Sequence, residues 1–211
     1  MPDELKIAVF ASGTGSNFQA ILEAISAGSI PNASIVAVIS NNADAGALAL
    51  ARKQALLAVH INEKQFASAD EFTIALLAVL REVHANFIVL AGYMKKVDPR
   101  VIQTFRNRII NIHPALLPAF GGPGMYGKHV HEAVIASKAA TSGATVHLVD
   151  EEYDRGPILL QRSVSVDLTD TPESLARKVL AIEHALYPEA IGLFAQGRVI
   201  VDGEHVTIMN S

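Results

Sequence analysis

The sequence predicts a single α/β domain: a mostly parallel, twisted sheet with helices on both faces and a small C-terminal hairpin. Three observations predict it. Short β-branched runs alternate with amphipathic stretches, the pattern of parallel strands joined by crossover helices. The runs Ile35-Val36-Ala37-Val38-Ile39 and Phe87-Ile88-Val89-Leu90 are apolar at every position, as strands covered on both faces are. The 211 residues, 50% hydrophobic and 18% charged, can bury one substantial core and are too few for two ordinary domains.

Ile7-Ala8-Val9-Phe10 reads as the first strand, followed by a Gly-rich turn. Phe18, Ile21, Leu22 and Ile25 then fall at helical spacing, and Gly28 ends that helix. The strand at 35–39, a short helix at 45–54, a modest strand Val59-His60-Ile61 and a helix marked by Phe72, Leu76, Val79, Leu80 and Val83 lead to the strand at 87–90. The second half opens with a short helix around Val101, Ile102 and Phe105, then the strand Ile109-Ile110-Asn111-Ile112. Pro114, Pro118 and Pro123, with Gly121, Gly122, Gly124 and Gly127, predict a long loop from His113 to Lys128. A helix at 130–137, a strand at 144–149 and an alternating strand at 158–166 follow. Thr171 caps and Pro172 opens a long final helix carrying Leu175, Val179, Ile182, Leu186, Ile191 and Phe194, expected to bend near Pro188. Residues 199–206, with Asp202-Gly203 at the turn, read as the hairpin.

Composition narrows the partners. The net charge of −4 is interspersed, with no Lys/Arg run to neutralise a row of phosphates, so nucleic acid is not expected. No apolar run approaches the roughly 20 residues of a membrane span. The acidic start Met1-Pro2-Asp3-Glu4-Leu5-Lys6 lacks a signal peptide's basic head and apolar stretch. The absence of cysteine excludes disulfides, thiolate metal sites and a Cys nucleophile. The expectation is a cytoplasmic monomer or homodimer that works on small molecules.

Two segments carry the chemistry. Asn111-Ile112-His113-Pro114 and Asp154-Arg155-Gly156-Pro157 each sit where an apolar strand gives way to a loop, the place where open α/β sheets gather catalytic groups. Strand geometry puts Asn111 and His113 on one face. An amide, an imidazole and a carboxylate meeting there can polarise a carbonyl, stabilise the oxyanion and move a proton, which is acyl transfer without a side-chain nucleophile. His60, His84 and His205 read instead as structural or surface residues.

The loop Ser12-Gly13-Thr14-Gly15-Ser16-Asn17 offers backbone and side-chain donors to a phosphate at a helix start. Phe18 stands where a dinucleotide fingerprint needs its third Gly, and the second strand ends in Ser40-Asn41-Asn42 rather than an acid. No Gly-Lys-Ser/Thr follows, so a phosphomonoester suits the loop better than NAD or ATP. No metal is expected: the acids at 150–154 read as a solvated loop, and His129-Val130-His131-Glu132 lacks a third ligand at diagnostic spacing.

Together, Ser12-Gly13-Thr14-Gly15-Ser16-Asn17, Leu90-Ala91-Gly92-Tyr93-Met94, Asn111-Ile112-His113-Pro114-Ala115-Leu116-Leu117-Pro118, and Asp154-Arg155-Gly156-Pro157 with Gln161 resemble the phosphoribosylglycinamide formyltransferases, a folate-dependent family of purine biosynthesis. The resemblance implies a Rossmann-like formyltransferase fold and direct formyl transfer from 10-formyltetrahydrofolate, as cosubstrate, to the amine of glycinamide ribonucleotide. It implies that Asn111, His113 and Asp154 are catalytic, with His113 protonated and Asp154 favouring its charge. Gly15, Ser16 and Asn17 would hold the ribonucleotide phosphate, and Glu183 its ribose hydroxyls; without the resemblance, Glu183 reads as an exposed helix residue. Met94, Lys95, Lys96 and Val97, with Asn111, Asp150, Glu151, Glu152, Tyr153 and Asp154, would line the folate pocket. The N-terminal half would thus bind phosphate, and the C-terminal half would supply folate pocket and catalysis. His131 matches a family position, with loop packing and catalysis both open.

Two departures from the family stand out. Residues 65–70 present no Arg to the folate's glutamate tail, leaving Lys95, Lys96 or nothing specific for it, and the Gly-rich loop at 119–128 is long enough to act as a lid. Rival readings are hydrolysis of the formyl donor, which in this superfamily goes with an added N-terminal regulatory domain, and initiator-tRNA formylation, which calls for an added C-terminal domain and a basic surface. A non-catalytic nucleotide sensor and a nicotinamide-dependent dehydrogenase are more distant alternatives.

Overall fold

A computed structural model describes residues 3–210; Met1 and Pro2, which open the acidic stretch read above against a signal peptide, lie outside them. Seven strands form one sheet: β1 (Leu5–Phe10), β2 (Ala33–Ser40), β3 (Ala58–His60), β4 (Phe87–Leu90), β5 (Ile109–His113), β6 (Thr141–Leu148) and β7 (Ile158–Ser165). Their order is β3-β2-β1-β4-β5-β6-β7. Pairing is parallel from β3 to β5 and antiparallel from β5 to β7. The chain builds outward from β1 in both directions, so β1 and β4 flank the switch point where open sheets place their ligand crevice.

Six helices, α1 (Ser16–Ser26), α2 (Gly46–Lys53), α3 (Ala69–Glu82), α4 (Pro99–Thr104), α5 (Lys128–Ala136) and α6 (Pro172–Ala195), cover the sheet, and β8 (Val199–Asp202) pairs with β9 (His205–Ile208) as the hairpin. The period-2 alternation of a strand divides β1 between two cores. Ile7 and Val9 pack with Phe18, Leu48, Leu186 and Ile191 of α1, α2 and α6, whereas Ala8 and Phe10 pack with Leu76, Leu80, Val101 and Ile102 of α3 and α4. Each large side chain so buried contributes about 1.5–3 kcal/mol. Tyr187 on α6 is fully buried, and its hydroxyl is shared between the carbonyls of Leu90 and Ile110 at 3.0 Å each. That contact fastens α6 across the two strands that lead into the crevice.

Several elements differ from expectation. β3 lies one residue earlier than read, and β6 starts at Thr141, three residues before its apolar run. Thr141-Ser142-Gly143 has no strand signature, but it pairs with Ser165, Val164 and Ser163 of β7. A Cβ at Gly143 would collide with the Arg162 carbonyl, so close backbone approach sets the strand start there. α5 begins at Lys128, two residues earlier than expected. A short 3-10 turn at Glu63–Gln65 was not expected; Asn62 caps it, accepting from the Lys64 amide at 3.1 Å. α6 runs through Pro188 as one continuous helix, as expected. Among the described residues no helix is long and apolar enough to cross a membrane.

Candidate active site

A cavity of about 570 Å³ opens beyond the ends of β4 and β5, and its lining includes Asn17, Asn111, His113, His131, His147, Asp154 and Glu183. Asn111 and His113 come from β5, where the parallel neighbour of Asn111 is Leu90 and its antiparallel neighbour is His147. Asp154 comes from the loop after β6 and has a left-handed backbone, φ 56°. Gly156 makes that loop possible, because a Cβ there would collide with the Leu148 carbonyl.

His113 is 3% exposed. Its Nε2 lies 2.8 Å from the Phe120 carbonyl oxygen, which can only accept, so Nε2 carries the proton. Its Nδ1 faces Asp154 Oδ2 at 3.5 Å, longer than a hydrogen bond. Two influences oppose each other at His113: the Asp154 charge expected to favour its protonated form, and its own burial. Burial lowers the imidazole below its ordinary value; Asp154 and the Phe120 carbonyl pull it up, but not enough to reverse the direction. Burial also disfavours ionised Asp154, yet His147, His113 and the Gly122 amide together hold its carboxyl below the usual range. The Gly122 N–H donates to Asp154 Oδ2 at 2.9 Å. The loop expected to act as a lid therefore grips both His113, through the Phe120 carbonyl, and Asp154, through the Gly122 amide.

At another part of the cavity, α1 starts after Gly15, whose φ is 84° and whose side does not admit a Cβ because Ala47 fills the space. No side chain caps this helix, so its first amides have no side-chain acceptor. The Asn17 side chain is buried and donates from Nδ2 to Glu183 Oε2 at 2.6 Å, while its Oδ1 has no partner. Glu183 is 8% exposed, and burial pushes its carboxyl up to about 7 despite the Asn17 bond. Reading Glu183 as an exposed helix residue is thus overturned, since α6 turns it inward onto α1.

Met94, Lys95, Lys96 and Val97 line the cavity together with Asp150, Glu152 and Tyr153. The Met94 amide donates to Ser12 Oγ at 2.8 Å, tying this segment to the loop after β1. Met94 and Tyr153 expose apolar surface at the mouth, and Lys96 Nζ stands 5.6 Å from the Tyr153 ring centre. His131 on α5 is 6% exposed, its Nδ1 has no partner, and burial followed by the neighbouring His113 charge lowers its pKa. Among the described residues no group of three or more His, Asp or Glu is placed to hold a metal ion.

A family model described as formyl transferase matches residues 5–191. Over 199 residues the chain is 45% identical to the chloroplastic phosphoribosylglycinamide formyltransferase of Arabidopsis thaliana, covering 94% of this chain and 68% of that protein. The chain belongs to the phosphoribosylglycinamide formyltransferase family. It is also 38% identical over 194 residues to the phosphoribosylglycinamide formyltransferase of Haemophilus influenzae, covering 92% of this chain and 89% of that protein. The solved glycinamide ribonucleotide transformylase 1 from Symbiobacterium toebii superposes with a TM-score of 0.92 at 40% identity, covering 98% of this chain and 95% of its own.

In this formyltransferase the cavity gathers Asn111, His113 and Asp154, the pair Asn17 and Glu183, and the segments at 94–97 and 150–154 except Glu151; Gly15 and Ser16 stand beside it at the start of α1. Sequence reasoning missed His147. It is 2% exposed, faces Asn111 across the β5-β6 ladder, and lies 3.6 Å from Asp154 Oδ1. The available signal was a single imidazole inside the otherwise apolar run Val146-His147-Leu148-Val149.

Proposed function

We propose that this formyltransferase moves the formyl group of 10-formyltetrahydrofolate to the glycinamide amine of 5-phosphoribosylglycinamide, by direct attack through a tetrahedral intermediate. The observation that carries the reading is the convergence of Asn111, His113 and Asp154 in a cavity that also holds the Asn17–Glu183 pair. The free amides of α1 around Gly15, Ser16 and Asn17 take the phosphate, and Glu183 takes the ribose hydroxyls. The folate lies along Met94, Lys95, Lys96 and Val97 and the 150–154 loop, of which all but Glu151 line the cavity, with Lys96 and Tyr153 at the mouth.

The amine attacks the formyl carbon, and the carbonyl electrons move onto oxygen. Asn111 donates an amide N–H to that oxygen, and His113 donates its Nε2–H after exchanging the Phe120 carbonyl for the substrate. His113 makes this bond as the imidazolium, the form that the Asp154 charge favours and burial opposes. Asp154 supports that charge and, through water, passes the proton from the attacking amine to the departing folate nitrogen. The carbon–nitrogen bond to folate breaks as the carbonyl re-forms. This reading makes the protein a single-domain small-molecule enzyme of the cytoplasm, monomeric or homodimeric.

An absorbance assay of the folate product, with and without glycinamide ribonucleotide, tests it. Product only with the ribonucleotide is expected. Equal product without it would mean hydrolysis, and none in either case would leave a binding module.

A further inference from the structure

The chemistry proposed for Asn111 needs an amide N–H, not the amide oxygen, to face the transferred formyl group. Nothing in the Asn111 side chain itself dictates that choice, because the amide can turn over with little change of shape. Its surroundings must decide, and one neighbour is placed to do so. His147 stands directly opposite Asn111 in the antiparallel ladder between β5 and β6 and is 2% exposed. Its Nδ1 lies 2.8 Å from the Leu148 carbonyl oxygen. A carbonyl only accepts, so Nδ1 carries a proton, and with one proton on the ring Nε2 is bare. That bare nitrogen lies 3.1 Å from Asn111 Nδ2. Only the NH₂ end of the amide can satisfy it, since the oxygen would set two lone pairs against each other. Nε2 also lies 3.6 Å from Asp154 Oδ1, farther than it lies from Asn111 Nδ2; a second ring proton on Nε2 would turn it to that carboxylate, and this is the competing arrangement that the spectrum described below detects.

We propose that His147 is a positioning residue for formyl transfer: its backbone-fixed tautomer holds the Asn111 amide with one N–H on the imidazole and the other presented to the formyl oxygen. Leu148, His147 and Asn111 thus form a chain of fixed polarity from the backbone of β6 to the reacting carbonyl. His147 acts entirely through Asn111 and does not touch substrate. The inference rests on the function proposed above, but the tautomer and the amide orientation are readable without turnover.

Two measurements test it together. In nitrogen-15-labelled protein, a long-range proton–nitrogen spectrum should show His147 protonated on Nδ1 and bare on Nε2. The Asn111 side-chain amide, assigned by its loss in Asn111→Ala, should have one hydrogen-bonded proton that is lost in His147→Asn. An Nε2–H tautomer would overturn the proposal, even in a preparation without transferase activity. In steady-state assays His147→Asn, whose shorter side chain cannot reach Asn111, should lower kcat with little change in either KM. The loss should not exceed the roughly 10²–10³-fold cost of removing an oxyanion donor. His147→Gln, whose Oε1 can accept where Nε2 did, should recover most of that loss. In the Asn111→Ala background neither change should lower kcat further. Equal losses in the Asn and Gln variants, or a further fall in the double variants, would show that His147 acts by another route. An inactive wild type would sink the function and leave the spectrum to decide this inference.

Discussion

Asn17 and Glu183, 166 residues apart, share a 2.6 Å hydrogen bond in the cavity. The bond joins the first helix to the last and holds a carboxyl where water scarcely reaches it. Its consequence is protonic, because burial raises Glu183 from the ordinary carboxyl range to about 7. The neutral acid accepts poorly from two ribose hydroxyls and the carboxylate accepts well. KM for the ribonucleotide should therefore fall as pH rises from 6 to 8, and Glu183→Gln should flatten that dependence while raising KM. The same shift acts on stability. A carboxyl whose folded pKa exceeds its unfolded value stabilises the fold fully below the unfolded pKa, near 4.5, and that contribution fades as pH rises through about 7. At about 1.4 kcal/mol per unit the contribution is on the order of 3 kcal/mol. Thermal unfolding across pH 5–8 should show wild-type Tm falling relative to Glu183→Gln; parallel curves would reject the buried-acid assignment.

The His113–Asp154 pair makes a separate prediction. His113→Ala should lower kcat by roughly 10²–10³-fold, as loss of an oxyanion donor does. Asp154→Asn can still accept from the Gly122 amide but removes the charge that partly offsets burial of His113. The His113 titration, followed by proton NMR, should then move further down from the usual histidine range, and kcat should fall. An upward shift would contradict this account of what sets the imidazole.

Much of the site was legible in sequence, and the gaps have physical causes. Asn111 and His113 were readable because a strand's alternation puts them on one face and a Pro- and Gly-rich segment follows. Glu183 was not readable from pattern alone, because its burial depends on Asn17 at the far end of the chain. The start of β6 was hidden because Thr141-Ser142-Gly143 is held by pairing and backbone approach rather than by apolar side chains. For His113 the sequence shows the partner charge of Asp154 but not the depth of burial that opposes it. His147 was overlooked because a lone imidazole in an apolar strand is usually structural, and only the ladder register reveals what it faces.

Gly156 ties the Asp154 loop to the sheet, so a single methyl there should damage both fold and function. In Gly156→Ala the new Cβ would meet the Leu148 carbonyl, a backbone atom that cannot swing aside. Destabilisation of about 1–3 kcal/mol or more is expected, with a fall in kcat as Asp154 is displaced. Gly13→Ala is the contrast, since a Cβ there has nothing within 4 Å. Its Tm should stay close to wild type. Equal losses of Tm in the two variants would mean that general loop stiffness, not this contact, matters.

Thr145 offers the last test, because it holds the turn that follows the catalytic histidine. It is fully buried and pairs with His113 across the β5-β6 ladder. Its hydroxyl donates to the Ala115 carbonyl at 2.6 Å and accepts from the Leu117 amide at 3.0 Å and from Gln161 Nε2 at 2.9 Å. Gln161 Nε2 also reaches the Leu117 carbonyl at 2.8 Å, which gives a purpose to a motif residue whose role the sequence left blank. Thr145→Val keeps the shape but strips these partners, leaving a buried amide and a buried carbonyl unsatisfied at a cost of about 1–3 kcal/mol each. Tm should fall, hydrogen exchange at the Leu117 amide should quicken, and kcat should drop as His113 loses its fixed support. Gln161→Leu should do less, because it spares the two bonds between Thr145 and the backbone. A Gln161→Leu effect as large as that of Thr145→Val would move the anchoring role from the hydroxyl to the amide.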